Sequence, residues 1–347
     1  MKHGWTGGQY SLVRGVFGYA LALVFLRDGA SAFERVAGVE AELLVPTAIG
    51  AALLLAVGKF ERGAAIYLTG ACAIAAASAR GLGAWDALAV VALMFACVPS
   101  APFGSWSAAG RVDPRGAWRM PTWVHAAAWI AMIAGYVYSA ASRGPDLSRA
   151  LDLGLAAACL LPVIRPWAWS TTIALSVVRA VIDADPSGTD VGLLCLHAFT
   201  FDPRWIPARG DAAQSDRVYY DGECGLCQRF VRFVIAEDVH GALRFAPLQG
   251  ASFRAFIEPR AGAGVDLPDS VVVETGPSLL VRSNAVLHVL ERLGGIWRAL
   301  GVIARCVPWR VRDVAYDAIA RTRKVFFRAP PSACPVLPAD LAARFDP

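Results

Sequence analysis

The sequence predicts a multi-span α-helical membrane bundle followed by an α/β domain with extra C-terminal helices. Three observations predict this. From Ser11 to Phe201 the chain is Ala/Leu/Val-rich, with charges confined mostly to short intervals. From Asp211 to Pro347 short β-prone runs alternate with helical ones, and Arg, Asp and Glu are frequent. Between them, Phe201–Gln214 (FDPRWIPARGDAAQ) holds two prolines and a run of polar residues. The boundaries read as a membrane domain over 1–207, a linker over 208–215 and a second domain over 216–347. With 347 residues, 56% of them apolar, and a mean hydropathy of +0.47, the chain is too long for one ordinary domain and too apolar for a soluble one. A net charge of +5, with arginines scattered along the sequence, does not make a nucleic-acid footprint.

The first apolar segment starts near Ser11, contains Arg14 and runs into Arg27 and Asp28. A secretory signal carries its charge before the apolar core and small residues after it, so this segment reads as a retained membrane helix. A bilayer core asks for about 20 apolar residues in a helix. Candidate spans are Leu12–Leu26, Leu43–Val57, Ala64–Ala79, Trp85–Val98, Trp123–Ala141, Leu151–Ile164, Trp169–Ile182 and Val191–Thr200. Trp85, Trp123, Trp167 and Trp169 fall near segment ends, where amphipathic rings favour the headgroup region. Many Gly, Ala and Ser residues inside the segments permit close helix approach in lipid.

Eight spans and a cytoplasmic N-terminus put Lys2, Lys59, Arg62, Arg111, Arg115, Arg119, Arg165, Arg204 and Arg209 inside. Arg27, Arg35, Arg80, Arg143 and Arg149 then fall outside. The bias favours this orientation. It predicts a multi-pass protein of a bacterial-type inner membrane, with membrane lipid around the bundle and the C-terminal domain in the cytoplasm.

Arg14, His125, Arg179 and His197 are ionisable residues within the spans. One reading makes them a polar site inside the bundle. The other has the arginines snorkelling and the histidines hydrogen-bonded as structure. Arg14-Gly15-Val16-Phe17-Gly18 and the run His197-Ala198-Phe199-Thr200-Phe201-Asp202-Pro203-Arg204-Trp205-Ile206-Pro207 resemble the HTTM domain. That bacterial membrane module is related to the vitamin K-dependent γ-carboxylases. The chain departs from such relatives at Tyr138-Ser139-Ala140-Ala141-Ser142-Arg143, where they carry a Lys after an aromatic–small run. Asp183-Ala184-Asp185-Pro186-Ser187-Gly188 looks like the start of a calcium loop, but Leu194 stands where the bidentate Glu belongs. It reads as a turn.

The chemistry concentrates in Arg217–Val234, RVYYDGECGLCQRFVRFV. Val218-Tyr219-Tyr220 is a β-prone run, Asp221-Gly222-Glu223 a turn, and Phe230, Val231, Phe233 and Val234 recur at helical spacing. Strand, loop and helix, with Cys224-Gly225-Leu226-Cys227 at the helix start, is the context that makes a CxxC a redox candidate. Only a thiolate attacks a disulfide, and the unpaired N–H groups at a helix N-terminus favour that anion. Cys224 is read as the exposed nucleophile and Cys227 as the thiol that resolves the mixed disulfide. Gly225 lets a substrate backbone come close. Asp221 has two readings: an anchor for the loop through backbone N–H groups, or a proton relay to Cys227. Zinc would need two further ligands near the pair. Cys306 and Cys334 lie too far along the chain, so neither a metal nor a cofactor is expected. Cys72, Cys97, Cys159 and Cys195 sit in apolar spans and read as small buried hydrophobes.

Downstream, Leu243–Leu248 reads as a second strand and Ser252–Ile257 as a short helix. Val271–Glu274 and Leu279–Arg282 form a hairpin around Thr275-Gly276-Pro277-Ser278. Ala285–Leu293, Trp297–Cys306 and Val311–Lys324 read as helices. This is a thioredoxin-like βαβ–ββα order with an added helical pair. Asp221, Cys224 and Cys227 match the Asp-x-x-Cys-x-x-Cys motif of the DCC (DUF393) thiol–disulfide oxidoreductases. The likeness extends through Phe245-Ala246-Pro247-Leu248-Gln249, Asp269-Ser270-Val271-Val272, Arg282-Ser283-Asn284-Ala285-Val286, Leu293-Gly294-Gly295 and Tyr316-Asp317 to Cys334. The resemblance implies a thioredoxin-like fold and a disulfide-reductase activity on a thiol- or disulfide-bearing protein or small molecule. Pro268 stands two residues too early for the proline that faces the pair in thioredoxins, which points to Ser270 for substrate docking. His288 and Arg282 read as neighbours of the pair or as surface and packing residues. Two other function classes stay open. The membrane bundle could be an enzyme or transporter for a lipid or quinone-like molecule, with the C-terminal domain as electron relay or redox sensor. The chain could also be a non-catalytic binding module.

Overall fold

A computed structural model describes residues 3–34, 40–77, 83–142, 147–182, 188–210, 215–257, 270–276, 278–327 and 338–347. Arg35, Arg80, Arg143, most of the Asp183–Gly188 turn, Asp211–Gln214, Pro268, Pro277 and Cys334 lie outside the described residues. The chain forms two compact units. The first comprises Met1–Trp5, Tyr10–Ala109 and Trp118–Asp202; the second comprises Thr6–Gln9, Gly110–Ala117 and Pro203–Pro347.

The first unit is helical. Its helices are α1 (Gly7–Phe33), α2 (Ala41–Val57), α3 (Glu61–Ala76), α4 (Ala84–Cys97), α5 (Thr122–Ser142), α6 (Leu147–Ala158), α7 (Arg165–Ile182) and α8 (Gly188–Thr200). Each apolar segment of the sequence thus contributes a helix, although Leu151–Ile164 is helical only as far as Ala158. By length and composition, however, only α1 and α5 can cross a membrane among the described residues, so a multi-span bundle is weakly supported. Helices α6 and α8 have 12 and 13 residues. At about 1.5 Å per residue they reach roughly 20 Å, against a hydrocarbon core of about 30 Å. Small residues set the packing of the first helices. A Cβ on Gly18 of α1 would meet Ala52 O and Ala56 N of α2 at 2.7 Å, so only glycine allows this approach.

The ionisable residues of this unit turn inward and find partners. Arg14 is 1% exposed and pairs with Glu61, whose other oxygen accepts the Ala101 N–H at 2.9 Å. Arg179 pairs with the fully buried Asp152 at 2.8 Å. His125 Nε2 accepts from Trp129 Nε1 at 3.2 Å while Nδ1 donates to Phe199 O at 2.9 Å. His197 Nε2 meets Thr172 Oγ1 at 3.0 Å. Neither arginine snorkels. The outward faces are apolar instead: Val16, Leu23 and Leu26 on α1 and Ile130 on α5 are exposed.

The second unit holds β1 (Asp216–Tyr220), α9 (Gly225–Glu237), β2 (Leu243–Pro247), α10 (Ala251–Ile257), β3 (Val272–Thr275), β4 (Ser278–Val281), α11 (Arg282–Leu293), α12 (Gly295–Arg305), α13 (Trp309–Phe326) and α14 (Ala339–Ala342). The sheet order is β2-β1-β3-β4. Strands β1 and β2 are parallel, and β3 runs antiparallel to both β1 and β4. The βαβ–ββα succession read from the sequence is therefore present. Alternation along β1 sends Val218 and Tyr219 to opposite faces. Val218 and Phe245 pack with Val231 and Val234 of α9 and Val289 of α11, while Tyr219 and Ala246 pack with Phe256 of α10. The sheet is thus covered on both faces. The C-terminal segment adds an edge that the sequence reading missed: Phe245 bridges Phe345 in parallel, with the Asp346 N–H donating to Phe245 O at 2.8 Å.

The segment Thr6–Gln9 belongs to this unit through Glu237, the last residue of α9. The buried Glu237 carboxylate accepts from Gly8 N at 2.8 Å, Trp297 Nε1 at 2.6 Å and the Thr6 hydroxyl. It therefore satisfies a free N–H in the first turn of α1. A Cβ on Gly8 would lie 2.6 Å from Glu237 Oε1, so this approach requires glycine.

Candidate active site around Cys224 and Cys227

Strand β1 ends at Tyr220 and hands the chain to the turn Asp221–Glu223, which α9 follows. The turn is held from several sides. Asp221 Oδ1 accepts the Glu223 N–H at 2.9 Å and Gln249 Nε2 at 3.2 Å. The Asp221 carbonyl accepts the Cys224 N–H at 3.2 Å, and Gln228 Nε2 donates to Gly222 O at 2.7 Å. Of the two readings of Asp221, these bonds match the loop anchor.

Cys224 is the N-cap of α9, with φ −93° and ψ 115°. Its carbonyl accepts the Gln228 N–H at 3.0 Å, the first bond of the helix. Its sulfur accepts the Cys227 N–H at 3.4 Å, taking the place that a serine or aspartate oxygen fills at an ordinary N-cap. Both cysteines are free thiols. The sulfur of Cys224 thus sits where backbone N–H groups and the helix dipole stabilise a negative charge. Glu223, the nearest acid in sequence, is exposed, and solvent weakens its opposition to a thiolate.

The expectation that Cys224 is exposed is corrected by the structure: Cys224 is 3% and Cys227 4% exposed. Gly225 is buried too, and Leu226 alone between the cysteines is partly exposed. Exposure depends on how distant segments fold over the helix start, which a local pattern does not report. Ser270 is 2% exposed, with its hydroxyl on Val271 O at 3.3 Å. The β1–β3 register ends on Tyr219 with Val272, and Ser270 lies two residues before β3.

His288 lies away from the pair. Its Nε2 meets Asp216 Oδ2 at 2.9 Å, at the far end of β1. Burial opposes the charge of Asp216, but hydrogen bonds from His288 and Thr275 and the charges of His288 and Arg292 outweigh it and hold the carboxyl below its usual range. Arg282 has a left-handed backbone, φ 53°, and lies 3.5 Å from Asp317. Both are structural by these contacts. Among the described residues, no three His, Cys, Asp or Glu side chains gather to hold a metal ion. Gln228 and Gln249 are the site residues that the sequence reading did not assign. The signal for Gln249 was its place in the Phe245–Gln249 run; for Gln228 it was adjacency to Cys227.

Residues 218–329 match the family model of the DCC1-like thiol-disulfide oxidoreductases. The uncharacterised protein YuxK of Bacillus subtilis (strain 168) is 34% identical over 108 residues, which are 31% of this chain and 77% of that protein. The chain belongs to the DCC1-like thiol-disulfide oxidoreductase family. A chloroplastic DCC family protein of Arabidopsis thaliana is 27% identical over 126 residues, 35% of this chain and 73% of that protein. No solved structure matches. The DCC1-like match takes in Cys224, Cys227, Ser270 and helices α9 to α13. The family match does not reach the first 207 residues.

Proposed function

We propose that the chain is a membrane-anchored thiol–disulfide oxidoreductase with a thioredoxin-like DCC1-like domain, and that Cys224 and Cys227 are its dithiol/disulfide couple. The observation that carries this reading is the Cys224 sulfur at the N-cap of α9, accepting the Cys227 N–H. The Cys224 thiolate attacks a substrate disulfide, forming a Cys224–substrate mixed disulfide and releasing one substrate thiolate. Cys227, once deprotonated, attacks the Cys224 sulfur. The internal disulfide forms, the second substrate thiolate leaves, and two electrons have passed to the substrate. A thiol of the cytoplasm returns the pair to the reduced state. Asp221 holds the turn, and Gly225 and Ser270 flank the path of a substrate backbone. Because the pair is buried, a substrate must displace part of the turn to reach Cys224. A Cys227→Ser variant tests this: it should accumulate a mixed disulfide at Cys224 with a cellular partner, and a chain that never traps one opposes the assignment.

Two apolar helices of sufficient length support the anchoring. So does the inside-out first unit, with its ion pairs buried and aliphatic side chains outward. The loop charges favour a cytoplasmic second unit. A second reading has its own support in that unit: Tyr136, Thr172, Ser176 and His197 are buried together, with Tyr136 OH 2.9 Å from Ser176 Oγ. Such a cluster suits an HTTM-like bundle acting on a lipid or quinone-like molecule, with the DCC1-like domain relaying electrons.

A further inference from the structure

Helix α13 carries Val311, Val314, Ala315, Ala318 and Ile319, spaced i, i+3, i+4, i+7 and i+8 on one face. Such a stripe normally forms a core. Here all five residues are exposed, Val314 at 70%. The other face does the packing: Tyr316 OH accepts the Val271 N–H at 2.9 Å, and Asp313 accepts the Ser283 N–H at 3.3 Å. Helix α12 repeats the arrangement. Gly301 sits against Leu287 and Leu290 of α11, while Leu300, Val302 and Ile303 are exposed, as are Val307 between the two helices and Trp309 at the start of α13. So many exposed apolar side chains on two successive helices mark an interaction site.

Exposed arginines flank the stripe on α13. Between residues 295 and 327 the sequence has seven Arg and Lys against two Asp. Both acids are engaged on the packed side, Asp313 with Ser283 and Asp317 with Arg282. Arg310 and Arg321 are exposed. Arg298, Arg305 and Arg312 are tied to Pro207 O, Glu291 and Asn284, so Arg310 and Arg321 supply the charge beside the apolar stripe.

We infer that the α12–α13 face is a lipid-docking surface that lies on an anionic phospholipid bilayer. The stripe enters the boundary between headgroups and acyl chains, Trp309 sits at headgroup level, and Arg310 and Arg321 meet lipid phosphates. A nucleic acid would meet the arginines and leave the stripe in water. A second copy of the chain would bring two basic rims together. An anionic lipid surface satisfies both the stripe and its charge. The inference concerns surface contact alone and does not depend on the redox reading.

Cys306, exposed between the two helices, provides a native probe position. The full-length chain, labelled there with a nitroxide, is placed in bilayers of phosphatidylcholine with one-third phosphatidylglycerol, and in phosphatidylcholine alone. A Cys306→Ser sample supplies the background from other thiols. In the anionic bilayer, oxygen should collide with the label several-fold more often than a nickel chelate does. Val314→Asp with Ile319→Asp, both at exposed positions, should return the label to water. Arg310→Glu with Arg321→Glu should abolish the dependence on phosphatidylglycerol. A label equally open to nickel in both bilayers overturns the inference, as does immersion that survives the paired Asp substitutions. Dipolar coupling between labels without immersion also overturns it, and assigns the face to a second copy.

Discussion

The Cys227 N–H donates to the Cys224 sulfur at 3.4 Å, tying the two cysteines across the first turn of α9 before any disulfide forms. The bond orients Cys224 and helps an anion at that sulfur, because the first-turn N–H groups of a helix have no other intrahelical partner. It also keeps the resolving cysteine within one turn of the sulfur it must attack. The burial of both thiols sets the terms for reactivity.

A bulky maleimide should modify the exposed Cys306 faster than Cys224, the reverse of what a solvent-facing nucleophile would do. Loosening the turn with Gln249→Ala, which removes the 3.2 Å bond to Asp221, should raise the Cys224 rate severalfold and leave Cys306 unchanged. Mass-spectrometric labelling rates read both. Faster labelling of Cys224 than Cys306 in the unaltered chain would show that the site stands open.

Asp221→Ala should lower stability by about 1–2 kcal/mol, the usual cost of lost hydrogen bonds at a buried carboxyl group. Asp221→Asn retains an Oδ1 acceptor for the Glu223 N–H and should recover most of that. Exchange rates with a model disulfide separate the two roles. An anchoring Asp221 tolerates Asn, whereas a proton relay fails equally in Asn and Ala.

Glu237 closes the other end of the same helix, and burial pushes its carboxyl pKa up against the hydrogen bonds from Thr6, Trp297, Gly8 and Gln9. The folded state thus holds a proton there that the unfolded chain has released. Its contribution is fully present below the ordinary carboxylate range and is lost as pH rises through the raised folded value. Glu237→Ala should cost about 2–3 kcal/mol by leaving buried donors unpaired, and should flatten the fall of stability with pH over that window. Urea denaturation of the two chains across pH measures both. Parallel pH profiles would remove Glu237 from the balance.

The strand–turn–helix that carries Asp221, Cys224 and Cys227 was legible because it is local: a β-prone run, a turn and a helical period within 18 residues of sequence, Arg217–Val234. The eight apolar segments were legible as helices for the same reason. What was not legible depends on distance along the chain. Glu237 meets Gly8 across 229 positions, and nothing local marks either residue. Glu61 meets Arg14 across 47 positions. The apolar stripe of α13 was readable as a helix face, yet a period of 3.6 is the same for a buried face and an exposed one. The burial of Cys224 likewise belongs to tertiary packing.

A reporter enzyme fused after Pro347 should be active on the cytoplasmic side, following the Lys and Arg bias of the helical unit. Alkaline phosphatase activity from that fusion in the periplasm would reverse the orientation. It would also recast the DCC1-like domain as working in an oxidising compartment.

The most direct measurement is a redox titration of the full-length chain in glutathione buffers, quenched by differential alkylation and read by mass spectrometry at Cys224 and Cys227. The expected result is one two-electron transition in which both cysteines change together. It should be abolished by Cys224→Ser and unmoved by Cys306→Ser. A pair that remains dithiol across the whole range, in a chain that stays folded, would contradict the oxidoreductase account.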